Sequence, residues 1–230
     1  MAATRQERHT NLREAEKKAL ALFEMAEAKG ILRSGVTEKE LNREIYQFAF
    51  ELYGIKKYWH KRIVRAGSNT LHPYRENPPD RMVEPGDILF IDFGPIFEDW
   101  EADFGRTYVF GDDPLKNKLR RDVELAWHDG KAFFESRPDI TGSELYDFMT
   151  ALARDYGWEY GGPHAGHLIG EFPHEIVQGE EVENYIHPDN HIKMRDNDKN
   201  GLPRDWILEI HFVDREREIG GFFEQLLTVD

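Results

Sequence analysis

Two short segments decide the fold of this chain: residues 84–94 read EPGDILFIDFG, and residues 102–107 read ADFGRT. A single acid, Asp92, interrupts the first apolar run, and Asp103 opens the second strand-like run. A turn centred on the Phe97–Glu98 bond predicts that Asp92 lies directly opposite Asp103 in an antiparallel hairpin, with both side chains on one face. Two like charges opposed in a buried sheet are unfavourable unless something positive lies between them.

The end of the chain repeats this arrangement. Glu209 interrupts the apolar run 206–210, and Glu224 interrupts the run 222–227. A turn centred between residues 216 and 217 predicts that Glu209 lies opposite Glu224. If two such hairpins pack face to face, four carboxylates converge and a pair of divalent cations would balance them. One acid in an apolar strand is more often a sheet-edge or turn feature, so it is the symmetry of the two pairs that favours a metal site.

A histidine flanked by glycines adds a nitrogen ligand to this set. His167 stands in the segment 161–170, which reads GGPHAGHLIG. An imidazole among carboxylates suits Mn, Co, Fe or Zn better than Ca. The residues therefore favour a transition-metal site over a calcium site.

The apolar spacing predicts the order helix, helix, hairpin twice along the chain. Each second helix opens with a Thr-x-x-Glu capping box, Thr37 to Glu40 and Thr141 to Glu144, in which each side chain satisfies a free backbone N–H. The first helix is expected over about residues 10–29. Capping boxes are common and two can coincide by chance, but the repeated order indicates an internal duplication. We predict one α+β domain over 1–230, with pseudo-symmetric halves at about 1–111 and 112–230.

Composition limits the possible functions. Acids outnumber bases 44 to 30, for a formal net charge of -14, which argues against binding to nucleic acid or to an anionic membrane surface. The chain has no Cys, which excludes disulfides, thiolate metal sites and Cys nucleophiles. No apolar run approaches the length of a spanning helix, and the polar start lacks a signal peptide, so a cytoplasmic location is expected.

The quoted motifs resemble the metallopeptidase family M24, which includes methionine aminopeptidase, aminopeptidase P, prolidase and creatinase. The resemblance runs from about Leu12 to Val229 and implies the pita-bread fold. It implies a dinuclear-metal-dependent hydrolase, an aminopeptidase or dipeptidase that cleaves a short peptide through a metal-bridging hydroxide. It also implies two divalent ions (Mn, Co, Fe or Zn) and allows a homodimer, which is frequent in the family.

The resemblance assigns roles to five metal ligands. Asp92 would chelate one ion, and Asp103 and Glu224 would bridge both. His167 and Glu209 would complete the other ion, and Glu209 would also take a proton from the bridging water. All five positions carry the residue type that the family uses.

Several further residues are candidates for catalysis or substrate binding. His72 and His174 resemble the two active-site histidines of the family and would donate hydrogen bonds or shuttle protons; the alternative for each is an ordinary loop histidine. His164 has an equal chance of a supporting or a surface role. The basic stretch 55–75 is either a solvated face or a binding site in which Arg65 or Arg75 holds a substrate carboxylate, with Tyr74 as a wall or a packing residue.

Three departures from the family leave the substrate open. From its length of 230 residues we expect only the catalytic core, as in methionine aminopeptidase, without the extra N-terminal domain of prolidase, aminopeptidase P or creatinase. Glu209 is followed by Ile210 where Pro is usual, and the charged insertion 175–205 is expected to form a flap or rim loop. A non-peptide hydrolase or lyase acting on C–N or C–S bonds is therefore the alternative. A non-catalytic peptide-binding module is disfavoured, because such modules should lose metal ligands.

Overall fold

The computed structural model describes residues 4–173 and 182–229. One antiparallel sheet runs through it in the strand order β1-β2-β5-β9-β8-β6, with β7 paired to β8, and β3 and β4 form a separate small hairpin. In chain order the elements are α1 (Arg5–Ala28), α2 (Glu38–Tyr53), β1 (Ile63–Ala66), a 3-10 helix (Gly67–Leu71), β2 (Ile88–Phe93), β3 (Ile96–Phe97), β4 (Trp100–Glu101), β5 (Phe104–Val109), α3 (Pro114–Ser136), α4 (Gly142–Tyr156), β6 (Glu159–Tyr160), β7 (Leu168–Ile169), β8 (Asp205–Asp214) and β9 (Ile219–Leu226).

The sheet joins two halves of similar construction. The N-terminal half (α1 to β5) supplies β1, β2 and β5, and the C-terminal half (α3 to β9) supplies β6, β8 and β9 in the mirrored order. The halves meet where β5 pairs with β9. The predicted α+β fold with two pseudo-symmetric helix-helix-hairpin halves is confirmed.

Capping residues determine where the helices begin and end. Thr37 and Thr141 each accept a backbone N–H from the residue three positions on, and the glutamate there accepts an N–H in return. Both helices end at a left-handed glycine, Gly54 and Gly157, with φ of 70° and 88°. A third capping box at Thr4 starts α1 earlier than the expected residue 10. None of the helices in the described residues is long and apolar enough to cross a membrane.

Alternation along the strands separates the face that packs under the helices from the face that carries the carboxylates. In β2 the residues on either side of Asp92, Ile91 and Phe93, belong to the core that packs under α1 and α2. In β8 the residues on either side of Glu209, Leu208 and Ile210, belong to the core with α3 and α4. The helices therefore cover one face of the sheet, and the carboxylates lie on the other.

The two hairpins differ in how well their register follows from the sequence. Glu209 lies opposite Glu224, as predicted. The predicted pairing of Asp92 with Asp103 is wrong, because Asp92 lies opposite Gly105. The turn in this hairpin lies beyond Phe97, which pairs with Trp100. The register therefore shifts by two residues, which preserves the face on which each side chain lies.

Two other segments also differ from expectation. The basic stretch 55–75 is not simply a solvated face, because it contains β1, in which all four residues are buried. The insertion 175–205 is not a flap in its described part, 182–204. Ile186 and Met194 are fully buried there in the core of the C-terminal half. The backbone of Met194 also accepts a hydrogen bond from the Trp206 indole, at 2.7 Å.

Candidate metal centre

A row of opposed residues crosses the face of the sheet that carries the carboxylates. Ile63 lies opposite Asp92, Asp92 opposite Gly105, Gly105 opposite Glu224, and Glu224 opposite Glu209. Directly opposed residues in antiparallel strands share a face. Three carboxylates are thus held side by side by backbone pairing.

Asp103 joins the row from the short link between β4 and β5. Its side chain is buried, and each of its two oxygens faces a different imidazole. His60 Nε2 lies 3.1 Å from Oδ1, and His167 Nε2 lies 3.1 Å from Oδ2. Asp103 is therefore the carboxylate that the two histidines share.

Two overlapping groups of side chains have the composition of a cation site. His60, Asp92 and Asp103 form one group, and Asp103, His167 and Glu224 form the other, each with ligand atoms within 4.8 Å of one another. Carboxylate oxygens and imidazole nitrogens are the donors that Mn, Fe, Co and Zn accept. Four of the five predicted ligands are thus brought together, with His60 as an addition.

Glu209, the fifth predicted ligand, pairs with a different histidine. His164 Nδ1 lies 2.9 Å from Glu209 Oε1, and the two residues come from neighbouring parts of the C-terminal half. Burial would raise the pKa of Glu209, but the adjacent His164 and His167 outweigh it and lower the pKa. Glu209 is therefore held as a carboxylate at the end of the row.

The buried acids of the site have pKa values shifted in different directions. Desolvation raises the pKa of Asp92 to about 7, and it raises the pKa of Glu224 well above its ordinary value, with the Asp103 charge adding to the effect. Burial acts on Asp103 in the same sense, but His60 and His167 outweigh it and lower its pKa. The crowded negative charge makes this a place where a cation would be stabilised.

The histidines respond to the same crowding. Burial would lower the pKa of His60, but the charges of Asp103 and Asp92 outweigh it and raise the pKa to about 9. Burial is likewise outweighed at His167 by its contacts with Asp103 and Glu224, and the pKa rises well above its ordinary value. The carboxylates thus favour the protonated, positively charged form of both imidazoles. A bound cation could supply that positive charge in place of the protons.

Two buried carboxylate oxygens test whether cations fit this site. In the described part of the chain, Asp92 Oδ1 and Glu224 Oε2 are buried and have no hydrogen-bond partner. Leaving a charged oxygen buried and unpaired is costly. A divalent ion would satisfy both atoms, so the donor set fits a metal.

The remaining predicted residues occupy varied places. His72 is 38% exposed and pairs with Glu76, with Nδ1 at 2.5 Å from Oε2, and neither metal group in the described residues includes it. His174 lies outside the described residues. Tyr74 and Arg75 are exposed, and the Tyr74 ring lies 5.7 Å from the His60 ring.

Arg65 lies on the same face as the row, one step along the strands. It is buried opposite Phe90, and one guanidinium nitrogen donates to the Glu76 carbonyl at 2.6 Å. Desolvation lowers its pKa, against the opposing effect of the Glu38 and Asp92 charges. Arg65 is thus a buried cation next to Asp92.

His60 is the residue that the sequence analysis missed. It stands in a basic stretch with no helical or strand periodicity, between Trp59 and Lys61. The available signal was the β-branched pair Ile63–Val64, which predicts a strand after it. Pairing that strand with the Asp92 strand would have brought His60 to the site.

Comparison with known proteins points to one family. The family model described as metallopeptidase family M24 matches residues 10–199. An Xaa-Pro dipeptidase from Lactobacillus delbrueckii subsp. lactis is 31% identical over 157 residues, which cover 66% of this chain and 42% of that protein. An Xaa-Pro dipeptidase from Pyrococcus horikoshii is 28% identical over 144 residues, 61% of this chain and 40% of that protein. The chain thus spans about two fifths of these relatives.

Solved structures share the fold. A dipeptidase from Pyrococcus horikoshii OT3 superposes with a TM-score of 0.72 at 23% identity, over 97% of this chain and 57% of that one. A methionine aminopeptidase from Rickettsia prowazekii superposes with a TM-score of 0.69 at 18% identity, over 98% of this chain and 94% of that one. At these identities the likeness concerns the fold, which is the one that the sequence motifs predict.

Proposed function

Because the chain belongs to metallopeptidase family M24, we propose that it is a dinuclear-metal-dependent hydrolase, an aminopeptidase or dipeptidase that cleaves a short peptide. One observation carries this proposal. Asp103 faces an imidazole with each of its oxygens, between two groups of side chains that suit cations. A carboxylate shared in this way supports two neighbouring ions.

The predicted ligands divide between two ions. Asp92, Asp103 and Glu224 would hold one ion, and His167 and Glu209 would hold the other together with Asp103 and Glu224. Asp92 Oδ1 and Glu224 Oε2 have no hydrogen-bond partner among the described residues, and both support this assignment because a buried carboxylate oxygen is stabilised by a cation. When bound, divalent ions supply the Lewis acidity that polarises a carbonyl and activates water.

The protein's own part in the reaction is to move a proton. Glu209, whose pKa is lowered, is a carboxylate at neutral pH and accepts the proton of the attacking water. His164 Nδ1 lies 2.9 Å from that carboxylate, in a contact that lacks hydrogen-bond geometry. The water oxygen first adds to the carbonyl carbon to form the new C–O bond, which gives a tetrahedral intermediate on the substrate. The C–N bond then breaks, and the proton passes from Glu209 to the leaving amine. His72 and His174 stay predictions as hydrogen-bond donors to the substrate.

The relatives named Xaa-Pro dipeptidase suggest the first substrates to test. A dipeptide carries a free carboxylate close to the scissile bond, and Arg65 is a buried guanidinium on the face that carries Asp92. In the described residues its Nε atom has no hydrogen-bond partner. A guanidinium with an unused donor suits a carboxylate, so Arg65 favours a dipeptidase over an enzyme for longer chains.

The test is a metal-reconstituted activity screen. The full chain is loaded with Mn, Co, Fe or Zn and offered Xaa-Pro dipeptides, Xaa-Pro-Yaa tripeptides, Met-Xaa peptides, and small amides and amidines. Metal-dependent release of the amino acid from a dipeptide, lost in Asp103→Ala and kept in His128→Ala on the exposed face of α3, would support the proposal. Cleavage of small amides alone would contradict the peptide substrate, and no bound metal would contradict the hydrolase.

The role of Arg65 has its own measurement. Arg65→Gln should raise the KM for a dipeptide while leaving kcat close to that of the wild type, because the lost contact binds the substrate rather than the reacting atoms. A dipeptide amide, which lacks the carboxylate, serves as the matched substrate and should show no change in KM. An unchanged KM for both substrates would show that Arg65 does not bind the carboxylate.

A further inference from the structure

The N-terminal half contributes a histidine whose place at the carboxylates is as well defined as that of His167. His60 precedes β1, and its side chain is only 6% exposed. Its Nε2 lies 3.1 Å from Asp103 Oδ1 and 3.5 Å from Asp92 Oδ1. The imidazole therefore points between the two aspartates of this half.

His60 and His167 have the same local geometry. In each, Nδ1 lies 2.7 Å from the backbone carbonyl oxygen of the next residue, Lys61 or Leu168. In each, Nε2 lies 3.1 Å from one oxygen of Asp103. A ring that donates Nδ1–H to a carbonyl presents the lone pair of Nε2, which is how metal-bound histidines are usually oriented.

The surrounding chain makes room for this ring. A Cβ atom at Gly94 would lie 2.2 Å from His60 Cδ2 and 2.4 Å from Trp59 Nε1. The Trp59 indole donates to the Ala102 carbonyl at 3.1 Å. Its ring centre lies 4.5 Å from that of His60 and 5.0 Å from that of His167. Trp59 thus packs against both imidazoles, and only a glycine at position 94 allows this.

We propose that His60 is a ligand of the ion held by Asp92 and Asp103, so that each ion of the pair carries one imidazole. This inference rests on the proposed metal centre but not on peptide cleavage. Without His60 the ligands proposed for this ion are all carboxylates, which suit hard ions such as Mg and Mn. With His60 the ion has a mixed nitrogen and oxygen shell, which favours Fe, Co and Zn.

The first test is metal binding by His60→Ala and His60→Gln, with His128→Ala as the exposed control. Titration calorimetry and elemental analysis with Co²⁺ should give two equivalents for the wild type and the control. Each His60 variant should keep one equivalent and bind the second at least about 100-fold more weakly, since even an outer partner of a ligand is worth about 10- to 100-fold. Two equivalents bound with unchanged affinity in both variants would overturn the proposal.

A spectroscopic measurement covers the case in which a variant does not fold. In the Co²⁺-loaded wild type, each ligating imidazole should give one strongly shifted, exchangeable N–H proton signal in the NMR spectrum. Two such signals are expected, of which His167→Gln removes one and His60→Gln removes the other. A single signal in the wild type, lost in His167→Gln, would exclude His60 as a ligand.

These outcomes separate the inference from the proposed function. If the wild type binds two ions and the His60 variants also bind two, the hydrolase proposal stands and the assignment of His60 falls. If the wild type binds no ion, both fall. If the metal results are as expected and no peptide is cleaved, His60 remains a ligand and only the substrate proposal is wrong.

Discussion

The two halves of the molecule supply similar chemistry through different hairpins. In the C-terminal half one continuous hairpin places Glu209 directly opposite Glu224. In the N-terminal half the extra hairpin β3–β4 separates Asp92 from Asp103, and Asp92 faces Gly105 instead. The interruption frees Asp103 from the strand row. One Asp103 oxygen then faces His60 of the N-terminal half, and the other oxygen faces His167 of the C-terminal half.

The continuous β8–β9 hairpin thus positions the acids on one side of the site, Glu209 and Glu224. The interrupted β2–β5 hairpin positions Asp103 at its centre. Backbone pairing positions Glu209 and Glu224, so their geometry is as rigid as the sheet. Asp103 depends on the packing of Trp59 and on the two imidazoles that it faces. Substitutions that affect the shared residue should therefore act on both ions, whereas those in one half should act on one.

The largest expected effect comes from removing the shared carboxylate. Asp103→Ala should abolish binding of both proposed ions and lower the proposed peptidase activity by more than about 1,000-fold, because metal Lewis acidity contributes several kcal/mol to the transition state. His167→Ala, in which one half alone is changed, should keep one ion. Elemental analysis of dialysed protein gives the count. One full equivalent retained by Asp103→Ala would show that the halves bind metal independently.

The next effect is the pH dependence of metal binding. Asp92 has a pKa of about 7 and His60 of about 9 without metal, so protons compete with the ion below those values. Glu209 in the other half has a lowered pKa and needs to lose no proton near neutrality. Affinity should rise between pH 6 and 8 by about tenfold if only Asp92 must lose its proton, and by about 1,000-fold if His60 must lose its proton as well.

Calorimetry in buffers of different ionisation enthalpy measures both the affinity and the protons released. The number of protons released should be larger at pH 6 than at pH 8, because Asp92 has lost its proton by the higher pH. An affinity that stays constant from pH 6 to 8, with no protons released, would mean that the carboxylate crowding seen without metal is relieved in another way.

The sequence best predicts the positions of side chains that are fixed by backbone pairing in the sheet. Alternation in β8 and β9 gives the Glu209–Glu224 register, because a continuous hairpin leaves only the turn position to choose. The same reasoning fails for Asp92 and Asp103, since the β3–β4 extension moves the turn without a clear signal in the residues around Phe97. The reasoning still places both aspartates on the correct face of the sheet, because the predicted register is wrong by two residues and side chains two residues apart share a face.

Side chains that come from loops are much harder to predict. His60 is placed at the site by the packing of Trp59 against the link before β5 and by the space at Gly94. Neither contact produces a periodic pattern of residues that could be recognised in the sequence. The burial of Ile186 and Met194 depends in the same way on contacts with distant strands and helices. His72, chosen because it resembles a family position, pairs with Glu76 in the structure. Its catalytic role stays a prediction.

A smaller effect should come from filling the space beside one half. In Gly94→Ala the new Cβ would lie 2.4 Å from His60 Nε2, so the imidazole must move. Overpacking of this kind costs about 1–3 kcal/mol of stability. It should also weaken binding of the ion in the N-terminal half.

Gly161→Ala is the matched variant in the other half. Its Cβ would lie 2.7 Å from His211 Nδ1 and 2.7 Å from Val213 Cγ1, away from the proposed ligands. A similar loss of stability is expected by urea denaturation, with two ions still bound. Equal metal affinity in the two variants would show that the position of His60 does not matter for binding.

The smallest expected effect concerns the capping boxes, where the halves are most alike. Thr37 and Thr141 each accept an N–H three residues on, at 3.2 Å in both cases. Removing a cap of this kind costs about 1 kcal/mol, so Thr37→Ala and Thr141→Ala should lower the free energy of unfolding in urea by similar amounts. Because the sites lie in separate halves, the double variant should show the sum within about 0.5 kcal/mol.

The hydroxyl of Thr141 also lies 3.0 Å from that of Ser143. A clearly larger loss at Thr141 would therefore mean that this added contact, and not the shared box, distinguishes the two halves.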